Sequence, residues 1–203
     1  MNLPNKITLF RIVLSICTLA LLLIPWYHFG LSFPTFSVAG KVVMESKYFI
    51  AGVLFVFASL TDIFDGYLAR SKNMVTDFGK VMDAIADKIL VNGILILLAQ
   101  DGFISVLIPI VIITRDTIVD SIKCVCASQG KMVGASKMAK VKTILMMIGV
   151  SFMLFYNVPF ELVRLPFADI FIYLACILSI VSGCEYYYTS KNLLFKKNNS
   201  NNS

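Results

Sequence analysis

Long apolar segments dominate this chain and limit it to one class of fold. Each is close in length to the roughly 20 apolar residues that a helix needs to cross a bilayer. Their apolar residues do not alternate with polar ones, as the strands of a membrane barrel require. We therefore expect an all-α fold, an integral membrane bundle of six transmembrane helices. The segments lie at about residues 7–27, 47–69, 80–100, 103–126, 139–157 and 168–189.

The composition excludes a water-soluble globule. Of the 203 residues, 58% are hydrophobic and only 15% are charged, whereas a soluble domain averages about 25% charged residues. We expect residues 1–190 to form a single six-helix membrane domain. The tail at 191–203 is basic and then rich in Asn and Ser, a composition that predicts disorder.

The Lys and Arg residues predict the orientation of the chain. If the N-terminus is cytoplasmic, fifteen of the 18 fall on the inner side and three on the outer side. Positive charge collects on the cytoplasmic side of membrane proteins. We therefore expect both termini in the cytoplasm and a multi-pass protein of the plasma or inner membrane, surrounded by membrane lipids and without a nucleic-acid partner. The tyrosines at 186–188 are expected to be interface anchors.

Four aspartates cluster in the sequence where the second apolar segment ends and the third begins. Asp62 and Asp65 are three residues apart, and Asp83 and Asp87 are four apart, so each pair shares one face of its helix. Because the connector between the two segments is only about ten residues long, these helix ends must be neighbours. The four carboxylates can therefore converge at one cytoplasmic site.

Such a site needs cations. Like charges about 4 Å apart repel by roughly 1–4 kcal/mol per pair, and the carboxylates would take up protons unless cations neutralised them. Oxygen ligands beside phosphates suit Mg²⁺, Mn²⁺ or Ca²⁺. Two divalent ions would balance four carboxylates, and such a pair can polarise a phosphoryl group. Arg70 lies five residues after Asp65, where its guanidinium could bind a phosphate.

This stretch follows the pattern D-x2-D-G-x2-A-R-x8-G-x3-D-x3-D at every fixed position, including the eight-residue spacer 71–78. The pattern is the signature of the CDP-alcohol phosphotransferase family, which the chain therefore resembles. The fixed positions are Asp62, Asp65, Gly66, Ala69, Arg70, Gly79, Asp83 and Asp87.

The resemblance implies a fold, a reaction and roles for these residues. Members of the family are six-helix membrane enzymes, usually homodimers, which use an alcohol to displace CMP from a CDP-linked donor with the help of two divalent ions, Mg²⁺ or Mn²⁺. By analogy, Asp62, Asp65 and Asp83 would be metal ligands. Asp87 would be both a metal ligand and the general base. The analogy places the following residues around the CDP part of the donor: Asp62, Gly66, Ala69, Arg70 and Gly79.

Cations elsewhere in the chain favour a phosphorylated acceptor. Charged residues inside an apolar segment are costly and are usually functional, and the fourth segment contains Arg115 and Asp116. Asp116, Asp120 and Lys123 share a helix face and could simply pair with one another, whereas Arg115 lies apart from them and could reach an anion. Further polar residues lie on the first helix and at the start of the fifth. The predicted acceptor-phosphate residues are Thr8, Arg11, Arg115, Lys137 and Lys142.

Three short segments also resemble one branch of the family, at residues 5–12, 113–116 and 139–143. Ala139 stands where that branch commonly has Gly. The branch transfers the phosphatidyl group of CDP-diacylglycerol to sn-glycerol 3-phosphate, giving phosphatidylglycerophosphate and CMP. Inositol phosphate or phosphatidylglycerol remain alternative acceptors. A divalent-cation transporter is a further alternative, but the outer halves of the second and third segments are almost wholly apolar.

Overall fold

The computed structural model describes residues 3–38, 40, 42–71, 77–128, 134 and 136–194. The side chains of 3–6, 63–71, 77, 78, 80 and 192–194 are not among those described. Within these residues the chain forms six long α-helices, which confirms the helical bundle. The helices are α1 (Leu3–Leu23), α2 (Ser46–Ser71), α3 (Asp77–Gln100), α4 (Leu107–Ser128), α5 (Lys137–Leu154) and α6 (Phe167–Leu194).

The connector between α1 and α2 contains a two-stranded antiparallel hairpin, which the all-α prediction did not include. Strand β1 (Thr35–Val38) pairs with β2 (Val42–Glu45). Val42 and Met44 are buried, whereas Val43 between them is exposed. This alternation places one face of β2 against the bundle, where the strand contacts α2.

The helices pack as two groups that meet where α2 contacts α5 and where α3 contacts α4 and α5. Helix α1 lies against α2 and α3, and α6 lies against α4 and α5. Gly149 of α5 permits a very close approach to α6, since a Cβ there would lie 2.7 Å from Ile172 Cγ1 and 3.1 Å from the Ile172 backbone nitrogen. Small residues bring membrane helices together in this way. The largest buried apolar side chains include Phe55, Ile94, Leu95, Leu98, Ile112, Leu154 and Ile172.

A polar stripe on α1 faces the inside of the bundle. Thr8, Arg11, Ser15 and Thr18 are all buried, and their spacing puts them on one side of the helix. The Ser15 hydroxyl donates a hydrogen bond of 2.8 Å to the Arg11 carbonyl oxygen. The stripe thus places a buried arginine against α2 and α3.

The outward faces of the helices expose large apolar side chains. Among the described residues, one helical segment, Phe167–Lys191, is long and apolar enough to cross a membrane, and Ile7–Leu23 is a shorter apolar helix. Helix α6 extends to Leu194, beyond the predicted start of the tail, and residues 195–203 lie outside the described residues. Examples of exposed apolar side chains are Phe10, Phe57, Ile96, Ile110, Ile144 and Ile177.

Candidate active site

Three helices meet where Arg11 of α1 contacts two of the predicted aspartates. Its Nη1 atom donates to Asp62 Oδ1 of α2 and, at 2.7 Å, to Asp83 Oδ1 of α3. Only 2% of the Arg11 side chain is exposed. A buried charge is tolerated only when it is paired, so the two carboxylates and the guanidinium stabilise one another. Asp62 of α2 and Asp83 of α3 therefore lie close together.

The chemistry of the aspartates suits a divalent metal ion, because carboxylate oxygens are ligands that Mg²⁺ and Mn²⁺ prefer. The Asp62 and Asp83 oxygens both contact the Nη1 atom of Arg11. Asp87 lies one helical turn beyond Asp83. In the described part of the chain, no three acidic, His or Cys side chains are grouped as a metal site. The side chain of Asp65, the remaining predicted ligand, lies outside that part.

The predicted donor-binding residues are described only in part. Asp65, Gly66, Ala69 and Arg70 fall in the last turns of α2, and nothing beyond their helical backbone is described. Gly79 is half-buried in the first turn of α3, one turn before Asp83. Their assignment to the CDP pocket stays a prediction.

A cavity of about 590 Å³ is lined by two of the predicted aspartates, Asp62 and Asp87, and by two of the predicted acceptor residues, Arg115 and Lys142. It contains both carboxylates and cations, so a ligand inside it meets groups that can accept a proton and groups that can bind a phosphate. The described residues that line it are Asp62, Asp87, Lys88, Arg115, Asp116, Asp120, Lys123, Ala139, Lys140, Lys142, Thr143, Ile144 and Tyr186.

Asp116 holds two of the cavity's cations in place. Lys142 Nζ donates to both carboxylate oxygens of Asp116 at 2.8 Å. Arg115 Nη1 donates to Asp116 Oδ1, also at 2.8 Å. Lys142 is almost fully buried, and its charge is therefore stabilised mainly by this carboxylate. The two cations are thus held by the same carboxylate.

A second group of ion pairs lies along the same cavity. Lys88 of α3 pairs with Asp120 of α4, and Lys123 lies 3.8 Å from the other Asp120 oxygen. Asp120 and Lys123 thus pair within α4, as one of the two interpretations of this face supposes. Asp116 instead pairs with Arg115 and with Lys142 of α5.

The structure separates the predicted acceptor residues into three groups. Arg115 and Lys142 line the cavity. Thr8 and Arg11 are buried on α1, with Arg11 at the aspartates. Lys137 is exposed at the first turn of α5 and is not among the residues that line the cavity. Their role in binding an acceptor phosphate is not tested by this placement.

Sequence reasoning missed several residues of the cavity. The residues not predicted to line it are Lys88, Asp120, Lys123 and Lys140. The signal that could have identified them is the presence of charged residues within or beside apolar segments. Tyr186 was expected to be an interface anchor, but it also lines the cavity and is only 3% exposed. Nothing in the sequence distinguishes it from its neighbours Tyr187 and Tyr188, which are exposed.

Comparison with known proteins assigns the chain to a family. The sequence model of the CDP-alcohol phosphatidyltransferases matches residues 1–181. A CDP-diacylglycerol–glycerol-3-phosphate 3-phosphatidyltransferase of Bacillus subtilis is 42% identical over 94% of this chain and 95% of its own length. A protein of the same name from Rickettsia felis is 31% identical over 94% of this chain and 96% of its own.

A solved structure has the same fold. The crystal structure of Mycobacterium tuberculosis phosphatidylinositol phosphate synthase with CDP-DAG bound superposes with a TM-score of 0.60, covering 92% of this chain and 85% of that one. The two sequences are 19% identical, so this likeness concerns the fold alone. From the family match and the curated relatives together, the chain belongs to the CDP-alcohol phosphatidyltransferase family.

Proposed function

We propose that the protein transfers the phosphatidyl group of CDP-diacylglycerol to sn-glycerol 3-phosphate, giving phosphatidylglycerophosphate and CMP. Relatives that carry this activity in their names align over nearly the whole chain. The observation that carries the proposal is the cavity lined both by Asp87 and by Arg115 and Lys142. A small acceptor with a hydroxyl and a phosphate matches this combination of a carboxylate and cations.

Asp87 acts as the general base. Its carboxylate takes the proton of the glycerol hydroxyl, and the hydroxyl oxygen attacks the phosphorus that carries diacylglycerol. A new phosphorus–oxygen bond forms, the bond between that phosphorus and the CMP oxygen breaks, and CMP leaves with the electron pair. The lining of the cavity by Asp87 supports this role, because a general base must reach the proton that it takes.

Cations of the cavity bind the acceptor phosphate. Arg115 offers a planar guanidinium and Lys142 a compact ammonium, and both are held by Asp116. Lys140 lines the same cavity and adds a third positive charge. The proposed acceptor set also includes Thr8, Arg11 and Lys137. Of these, Arg11 contributes a positive charge beside Asp62 and Asp83.

The donor binds beside the aspartates. Asp62, Asp65, Asp83 and Asp87 hold two divalent ions, Mg²⁺ or Mn²⁺, in this proposal, and the convergence of Asp62 and Asp83 on one cation supports it. Such ions would stabilise the negative charge of the pyrophosphate and of the departing CMP. The CDP part is bound by the following residues: Asp62, Gly66, Ala69, Arg70 and Gly79.

The bundle spans the plasma or inner membrane six times, with both termini and the active site on the cytoplasmic side. The apolar side chains exposed on the outward faces of the helices support membrane embedding. The distribution of Lys and Arg supports the orientation. Resemblance to the family supports a homodimer.

The test is release of CMP by the purified protein in mixed micelles with CDP-diacylglycerol. We expect release that needs both Mg²⁺ or Mn²⁺ and sn-glycerol 3-phosphate, and that stops when the metal is chelated. Myo-inositol phosphate and phosphatidylglycerol serve as competing acceptors. Metal-dependent release with one of these alone would replace the proposed acceptor, and no release with any acceptor would overturn the proposed chemistry.

A further inference from the structure

Four residues on one face of α6 lie against the side chain of Arg115. Ser179, Ser182, Gly183 and Tyr186 are spaced three, four and seven residues from the first, so they share one face of the helix. We call these four residues the α6 cradle. Its members come from the part of the sequence that shows little beyond hydrophobicity.

The contacts of the cradle fix the guanidinium of Arg115. Its Nε donates to the Ser179 carbonyl oxygen at 2.9 Å, and its Nη2 donates to Ser182 Oγ at 2.7 Å. The Tyr186 ring lies 5.7 Å from Arg115 Cζ, within the range of a cation–π contact. A Cβ at Gly183 would lie 3.0 Å from Arg115 Cγ, so glycine leaves room for the stem of the arginine.

Because Nη1 is held by Asp116, each nitrogen of the guanidinium has a partner before any ligand arrives. A side chain held in this way loses little conformational entropy when it binds a phosphate. Preorganisation of this kind raises affinity for the ligand, and it can do so without any contact between the supporting residues and the reacting atoms.

Tyr186 connects the arginine to α5. Its hydroxyl accepts a hydrogen bond from the Ser136 backbone N–H and donates one to the Gly134 carbonyl oxygen, both at 2.9 Å. Ser136 in turn caps α5, because its side chain accepts from the Ala139 N–H. Helix α5 carries Lys140 and Lys142. One tyrosine thus ties the loop before these lysines to the helix that holds Arg115.

We propose that the α6 cradle is a positioning element that sets the affinity of the enzyme for its phosphorylated acceptor. It holds Arg115 in a fixed orientation. Through the hydrogen bonds of the Tyr186 hydroxyl it also fixes the start of α5 relative to Arg115. The cradle residues do not take part in the chemical step. This inference rests on the proposed function, since it assigns to α6 the selection of the acceptor in that reaction.

The test compares Tyr186→Phe and Ser182→Ala in the full chain, with steady-state kinetics for both substrates. We expect each variant to raise KM for sn-glycerol 3-phosphate by about threefold to tenfold, as loss of one hydrogen bond predicts. KM for CDP-diacylglycerol and kcat should stay within about twofold of the wild-type values. Arg115→Ala is the positive reference and should raise the acceptor KM further.

Tyr188→Phe is the matched control, because it makes the same change at a tyrosine that is 73% exposed. A third variant, Gly183→Ala, adds a methyl group against Arg115 while improving helix propensity. It should raise the acceptor KM without lowering the melting temperature, which guards against variants that merely fold poorly.

A loss of melting temperature or kcat with unchanged acceptor KM would mean that the cradle only holds the helices together, and would overturn the inference. Equal increases in KM for both substrates would also overturn it. If the wild-type protein releases no CMP with sn-glycerol 3-phosphate, the proposed function fails and the inference fails with it. Unchanged acceptor KM in active variants overturns the inference alone.

Discussion

At the scale of single residues, this site places opposite charges in close contact. Arg11 is shared by Asp62 and Asp83, and Asp116 is shared by Arg115 and Lys142. Each buried charge therefore has a partner of opposite sign, which lowers the cost of keeping it away from water. Asp62 and Asp116 can then line one cavity together with Arg115 and Lys142, without the repulsion that either set of like charges alone would create.

Asp87→Asn should abolish turnover and leave the fold intact. The amide is nearly the same size as the carboxylate but cannot take a proton, and loss of a general base reduces rates by about 10²- to 10⁴-fold. CMP release would measure the rate, and thermal unfolding in detergent would measure the fold. Asp101→Asn makes the same change at the other end of α3, where the residue accepts a hydrogen bond from Tyr48, and should be near wild type. Normal activity of Asp87→Asn would remove this residue from the general-base role.

Individual site residues can be predicted from the sequence where their proximity follows from their spacing along the chain. Asp62 and Asp83 are brought together because α2 and α3 are joined by a short connector, and this is visible in the sequence. Tyr186 could not be found in this way. Aromatic residues at a helix end are typical of the membrane interface. Tyr186 instead faces inward because α6 packs on α4 and because its hydroxyl bonds to Gly134 and Ser136.

At the scale of elements, the apolar segments predict the helices to within a few residues, because length and hydrophobicity determine them. The β1–β2 hairpin was missed. Its connector contains Gly30, Pro34 and Gly40, which favour loops, and the alternating burial of Val42, Val43 and Met44 is too short to stand out. In the structure, β2 contacts α2, and this long-range contact is not visible in the local sequence.

The α5–α6 contact should be sensitive to any side chain at position 149. Gly149→Val places atoms where Ile172 already lies, and overpacking of this kind costs about 1–3 kcal/mol of unfolding free energy. Melting temperature in detergent should fall by several degrees. Gly134→Val is the control, since a Cβ there meets nothing within 4 Å. A wild-type melting temperature for Gly149→Val would mean that α5 and α6 pack less closely than described.

At the scale of the whole molecule, the proposed topology places the cavity on the cytoplasmic side. After replacement of the five natural cysteines, Ser32→Cys in the α1–α2 connector should react with a membrane-impermeant maleimide in intact cells. Ser128→Cys, at the end of α4, should react only after the membrane is permeabilised. Both positions are exposed, so accessibility alone does not separate them. Labelling of Ser128→Cys in intact cells would contradict the proposed orientation, because it would place the end of α4 outside the cell.

The pairing of Arg11 also bears on how the protein is made. Asp62 follows it by 51 residues and Asp83 by 72, so the ribosome completes α1 well before either carboxylate exists. Until then an arginine on a newly inserted apolar helix is best accommodated near the lipid headgroups. We expect α1 to take its final depth only after α2 and α3 have entered the membrane. The order of synthesis would then make assembly of the first three helices a single event, in which the Arg11 ion pairs and the position of the first helix are established together.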